Sequence, residues 1–115
     1  MSIAIYHNPR CSTSRAVLAL IREAGVEPVV VDYMQNPPTR EQLLSLLLAL
    51  DIPPRALLRT KESAYRELGL AGETVTDRQI IDAIIGHPQL MQRPIVASEK
   101  GVKLCRPPEI VRDLL

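Results

Sequence analysis

The chain contains no tryptophan, no phenylalanine and only 3 tyrosines. Its core therefore has to be aliphatic, built from Leu, Ile, Val and Ala. Cysteine is scarce: Cys11 and Cys105 are the whole supply. They lie far apart and form no Cys-x-x-Cys, which argues against a disulfide framework and against a zinc site. Lysine is scarce as well, since 11 of the 14 basic residues are Arg. Arg is the better fork for oxyanions. No long hydrophobic run occurs. The most apolar stretch, Leu43 to Leu50, is too short to cross a bilayer, and Asn8-Pro9-Arg10 interrupts the first apolar stretch where a signal peptide would need continuity. A net charge of +1 gives no reason to expect nucleic acid or an acidic membrane as partner. The expectation is a monomer of the reducing cytoplasm, with no bound metal, no membrane and no nucleic acid.

What is present reads as one α/β domain over residues 1–115, a size suited to a single core. Ile3 to His7 alternates as a strand does. From Ser12 the apolar spacing becomes helical, and Gly25 sits where a helix ends. Val29-Val30-Val31 is a β-branched run typical of a buried strand. These pieces make a βαβ unit with parallel strands. Thr39 with Gln42, and Thr76 with Gln79, are capping-box pairs that open two helices. The first is Leu-rich and is expected to run to about Leu50, with Pro53-Pro54 stopping it. Glu62 to Leu68 reads as a short helix stopping at Gly69. Pro94 to Ala97 and Val102 to Cys105 form a hairpin around Glu99-Lys100-Gly101, and Pro107-Pro108 opens a final helix. The predicted architecture is a four-stranded mixed sheet with a helical insertion between βαβ and ββα halves.

The chemistry concentrates in His7-Asn8-Pro9-Arg10-Cys11-Ser12-Thr13-Ser14-Arg15. Cys11 falls between a strand end and a helix start, the place where open α/β sheets bind ligands. Backbone N–H groups of Ser12, Thr13 and Ser14 would face the thiolate and any anion beside it. A helix N-terminus and nearby cations lower a cysteine pKa. Arg10 and Arg15 are local cations, and His7 is a further candidate. Ser14 occupies the place of the second thiol in a Cys-x-x-Cys, so an adduct on Cys11 needs an external thiol to resolve it. Cys105, on a hairpin strand, reads as structural. Cys11 and Arg15 lie closer together than the Cys and Arg of a phosphatase loop, which argues against phosphate ester hydrolysis. Arg59, Arg93 and Arg106 stand at element ends, the last two held by a following proline. A hairpin beside the first strand would let Arg93 and Arg106 converge on Cys11, and three guanidiniums could cage a tetrahedral dianion.

His7-Asn8-Pro9, Cys11-x-Thr13-Ser14-Arg15, Asn36-Pro37-Pro38, Arg55-Ala56-Leu57-Leu58-Arg59, Leu68-Gly69-Leu70, Arg93-Pro94-Ile95-Val96 and Cys105-Arg106-Pro107 together resemble the glutaredoxin-dependent arsenate reductases, in order and over almost the whole chain. The resemblance implies a thioredoxin-like fold. It implies Cys11 as nucleophile, His7 and Ser14 as its activators, and Arg59, Arg93 and Arg106 as the oxyanion-binding triad, beside the Ser12 and Thr13 amides read from the helix start. It also implies a cis Arg93–Pro94 bond, arsenate as substrate, glutathione as co-substrate with no bound cofactor, and glutaredoxin as partner. Two other readings of a single reactive thiol stay open: a thiol oxidoreductase acting on glutathionylated proteins, and an RNA polymerase-binding regulator of the Spx type.

Overall fold

Ile3 and Ile5 alternate with Ala4 and Tyr6, and the alternation becomes strand β1 (Ala4–His7), with Ile5 and His7 turned inward. The computed structural model describes residues 2–115. They form two compact units: the chain up to Asn36 together with Arg93–Leu115, and Pro37–Gln92.

In the first unit, β1 leads through helix α1 (Ser12–Glu23) to β2 (Val29–Asp32), and the hairpin β3 (Ile95–Ser98) and β4 (Gly101–Leu104) completes one sheet of order β2-β1-β3-β4. β1 pairs parallel to β2 and antiparallel to β3, so the hairpin does lie beside the first strand. Helix α1 ends as its sequence demands. Gly25 takes φ +83, a conformation that costs a side-chain-bearing residue about 1–2 kcal/mol. The last segment, Pro108–Leu114, is a 3-10 helix rather than an α-helix. Its hydrogen bonds span three residues, as in Ile110 N–H to Pro107 O at 3.2 Å.

The core of this unit joins Ile5 and Val96 of the sheet to Val17 and Ile21 of α1 and to Val111 and Leu114 of the 3-10 segment. Each such aliphatic side chain contributes roughly 1.5–3 kcal/mol by leaving water. One expectation fails here. The Val29-Val30-Val31 run is not a buried strand: Val29 is 63% and Val30 40% exposed. β2 is one of the two edge strands of the sheet, and a β-branched run fits an edge strand as well as a central one.

The second unit is helical: α2 (Arg40–Leu50), α3 (Ser63–Glu67) and α4 (Asp77–Gly86), with 3-10 turns at Pro54–Leu57 and Pro88–Leu90. Both capping boxes form in full, Thr39 with Gln42 and Thr76 with Gln79. Helix α2 ends at Leu50, where the sequence places its end. Asp51 adopts the left-handed conformation, φ 56, and Pro53 then caps the 3-10 turn. Helix α4 packs on α2 and on both 3-10 turns, and its Ile80, Ile81 and Ile84 are buried. Among the described residues no helix is long and apolar enough to cross a membrane.

Candidate active site

The turn Asn8-Pro9-Arg10 links the C-terminal end of β1 to the start of α1 and is pinned by short-range hydrogen bonds. Asn8 Oδ1 accepts the Arg10 N–H at 3.0 Å, and Asn8 O accepts the Cys11 N–H at 3.0 Å. Cys11 is thereby set at the N-cap of α1, φ −92 and ψ 121, with its own carbonyl taking the first helical bond from Arg15. Capping positions usually carry an oxygen side chain; here a sulfur occupies the place. It makes no side-chain capping hydrogen bond, yet the Ser14 backbone N–H draws its pKa down. Ser12 is exposed and Thr13 half-buried in the same first turn.

The sulfur is buried, 7% exposed, and burial by itself raises its pKa. Four influences outweigh that: the Ser14 N–H, the charge of Arg93, and hydrogen bonds from Arg106 and Arg93. The net result is a thiol held below its ordinary value. Arg106 Nη1 lies 3.8 Å from Cys11 Sγ and also donates to Arg93 O at 3.1 Å. One guanidinium thus bridges the sulfur and the backbone just ahead of Pro94. The Arg93–Pro94 bond is cis, as is Arg106–Pro107.

These cations come from the far end of the chain. Arg10 and Arg15, favoured by sequence proximity, are not among the groups that draw its pKa down. The Arg15 guanidinium is spent on Pro9 O at 2.9 Å, and Arg10 is exposed. His7 is not a cation either. Burial holds its pKa below the usual imidazole value, against the opposing charge of Asp32, with Arg22 and Arg15 adding to the depression. A neutral His7 Nδ1 sits 2.6 Å from Ser14 Oγ, and Ser14 Oγ accepts the Asn8 N–H at 3.1 Å. Both side chains are buried. The pair ties the end of β1 to the first turn of α1, on either side of the turn that carries the nucleophile.

Unit by unit, then, the first brings together Cys11, His7, Ser14, Arg93 and Arg106. Arg59 belongs to the second unit. There the strip Leu57 to Arg59 runs beside Leu90 to Gln92, the Arg59 N–H donating to Leu90 O at 2.8 Å. Its guanidinium donates to Gln89 O at 3.2 Å and faces Glu62 at 3.4 Å. Cys105 is fully buried, and burial pushes its thiol up to about 12, which leaves it protonated at neutral pH.

Asp32 was not singled out in the sequence. It ends β2 as the register partner of His7 and is the one group that opposes the depression of the His7 pKa. The signal was available: a carboxylate closing an apolar strand, at the carboxyl edge of a parallel pair where ligands gather.

Comparison with known proteins adds a consistent set of matches. A family model described as the ArsC family matches residues 6–114. An arsenate reductase of Escherichia coli is 51% identical over 114 residues, covering 99% of this chain and 81% of that protein. Arsenate reductase ArsI2 of Synechocystis sp. is 55% identical over 113 residues, covering 98% and 81%. Among solved structures, an arsenate reductase from Vibrio cholerae superposes with a TM-score of 0.96 at 40% identity, over 100% of this chain and 98% of that one.

Proposed function

The chain belongs to the ArsC family and has its thioredoxin-like fold, and from that premise we propose how it works as an arsenate reductase. Arsenate, a dianion near neutral pH, is held by Arg93, Arg106 and Arg59 through charge-assisted hydrogen bonds, with the Ser12 and Thr13 amides adding partial positive charge. The Cys11 thiolate attacks arsenic. A sulfur–arsenic bond forms, an arsenic–oxygen bond breaks, and the oxygen leaves as water once protonated. His7 and Ser14 keep the loop and the sulfur in line for this step.

Glutathione supplies the next thiol. Its sulfur displaces a second oxygen on arsenic, again as water. A glutaredoxin thiolate then attacks the glutathione sulfur and forms a mixed disulfide. The electron pair of the broken sulfur–arsenic bond stays on arsenic, which falls from As(V) to As(III). Water cleaves the Cys11–arsenic bond, releasing arsenite and the thiolate. An external thiol is needed because Ser14 offers a hydroxyl where a neighbouring thiol would stand, and because Cys105 is buried and protonated. The protein acts as a monomer in the cytoplasm.

The observation that carries this reading is the sulfur at the N-cap of α1, held below its ordinary pKa beside Arg106 and Arg93. The test is arsenate turnover with glutathione and glutaredoxin supplied together and singly, beside a mixed-disulfide substrate. Full turnover is expected only with both thiol sources and arsenate. Preferential reduction of the mixed disulfide would replace this reading with a thiol oxidoreductase. Arg93→Lys keeps the charge and loses the fork, and a drop of about tenfold or more in kcat/KM for arsenate is expected. An unchanged value would remove Arg93 from the oxyanion site.

A further inference from the structure

The turn that carries Cys11 also walls a cavity of about 310 Å³, lined by Asn8, Pro9, Arg10, Asp32, Met34 and Gln35. The oxyanion chemistry uses none of these residues. Its size falls in the range of small-ligand sites. Its chemistry is mixed in a particular way: one guanidinium, one carboxylate, two side-chain amides and two apolar surfaces.

The Arg10 guanidinium makes no hydrogen bond or ion pair among the described residues, whereas Arg15 is held by Pro9 O and Arg22 by Glu27. One oxygen of Asp32, Oδ1, takes the Met34 N–H at 3.1 Å, which fixes the carboxylate on the cavity wall and leaves its other oxygen without a hydrogen bond among the described residues. The Asn8 amide spends its oxygen on the Arg10 N–H and keeps its NH2 as a donor. A fixed acid and an uncommitted Arg on one small cavity complement an α-amino acid end, with ammonium and carboxylate on one carbon.

Glutathione has such an end, on its γ-glutamyl residue, and the apolar surfaces of Pro9 and Met34 suit the methylenes beyond it. Asn8 O accepts the Cys11 N–H, so the cavity wall and the nucleophile share one turn. The α-carbon of the γ-glutamyl end stands seven bonds from the glutathione sulfur, a reach of roughly 8–9 Å when extended. We propose that this cavity seats the γ-glutamyl end of glutathione, Arg10 on its carboxylate and Asp32 on its ammonium, so that the thiol is delivered to the arsenic on Cys11. This assignment rests on the reading of glutathione as co-substrate.

The experiment is steady-state arsenate reduction by the full chain, with glutaredoxin and arsenate saturating and glutathione varied. Arg10→Ala is expected to raise the KM for glutathione about tenfold, the weight of one charge-assisted hydrogen bond, while the KM for arsenate stays within about twofold. Asp32→Asn, which keeps an oxygen for the Met34 N–H, is expected to raise the KM for glutathione but not that for N-acetylglutathione, whose ammonium is capped. An unchanged glutathione KM in both variants, with wild-type turnover intact, would overturn the cavity assignment and leave the proposed function standing. Wild-type protein that turns over no arsenate with glutathione would overturn the function itself. A KM for arsenate that rises in step with that for glutathione would show Arg10 acting on the oxyanion and would also overturn the assignment.

Discussion

Cys105 lies among Ile5, Val96 and Leu114, where burial pushes its thiol up to about 12, while Cys11 meets two guanidiniums and a helix amide that more than offset its own burial. Two sulfurs of one chain are thereby assigned opposite behaviour. A thiol with a lowered pKa is ionised over a wider range of pH, so alkylation of Cys11 by iodoacetamide should reach half its plateau rate below the ordinary thiol value of about 8.5. Arg106→Gln removes a hydrogen bond and a charge from the sulfur, and should move that midpoint upward. A midpoint at or above 8.5 in the parent chain would remove the activated thiolate. Cys105 should stay unlabelled until the chain unfolds, and Cys105→Ala should keep arsenate turnover; loss of turnover would mean that the buried thiol takes part. The position of Cys11 was legible because a strand, a turn and a helix start are local patterns. The source of its cations was legible in part. Arg10 and Arg15, the neighbours in sequence, are directed elsewhere, whereas Arg93 and Arg106, each held before a proline, reach the sulfur on the condition the sequence attached to them, that the hairpin lie beside β1.

The elements follow their local signals closely wherever those signals are chemical. Each capping box joins two side chains to two backbone N–H groups at a helix start, and both were readable as Thr-x-x-Gln. Thr76→Ala should lower stability by about 1 kcal/mol, read as a shift of the urea midpoint at unchanged slope. Thr76→Ser keeps the oxygen and should recover most of the loss; an equal loss in both would show that the hydroxyl bond is not what matters. Less legible was which strands lie at the edges. Three valines in a row say strand, and only the sheet order says that β2 has a neighbour on one side alone. The 3-10 character of Pro108–Leu114 was equally hidden, since periodicity over seven residues separates it poorly from an α-helix.

At the scale of the molecule, the second unit is inserted in sequence between Asn36 and Arg93. Its two ends continue into β2 and β3 of the same sheet. With both ends tethered, we propose that the chain behaves as one domain and unfolds in a single cooperative transition. Coincident urea curves from far-UV circular dichroism and from Tyr33 fluorescence, isolated by replacing the other tyrosines, would bear this out; two separated transitions would show two independently folding units.

The exposed margin at Val29 and Val30 has a cost that emerges on crowding. A bare strand rim offers unsatisfied backbone groups to any copy of itself, and a chain of net charge +1 and isoelectric point near 7.8 has little repulsion to keep copies apart at neutral pH. Concentrated solutions of this enzyme should therefore turn cloudy by rim-to-rim stacking well before heat unfolds it, and Val30→Lys should keep them clear.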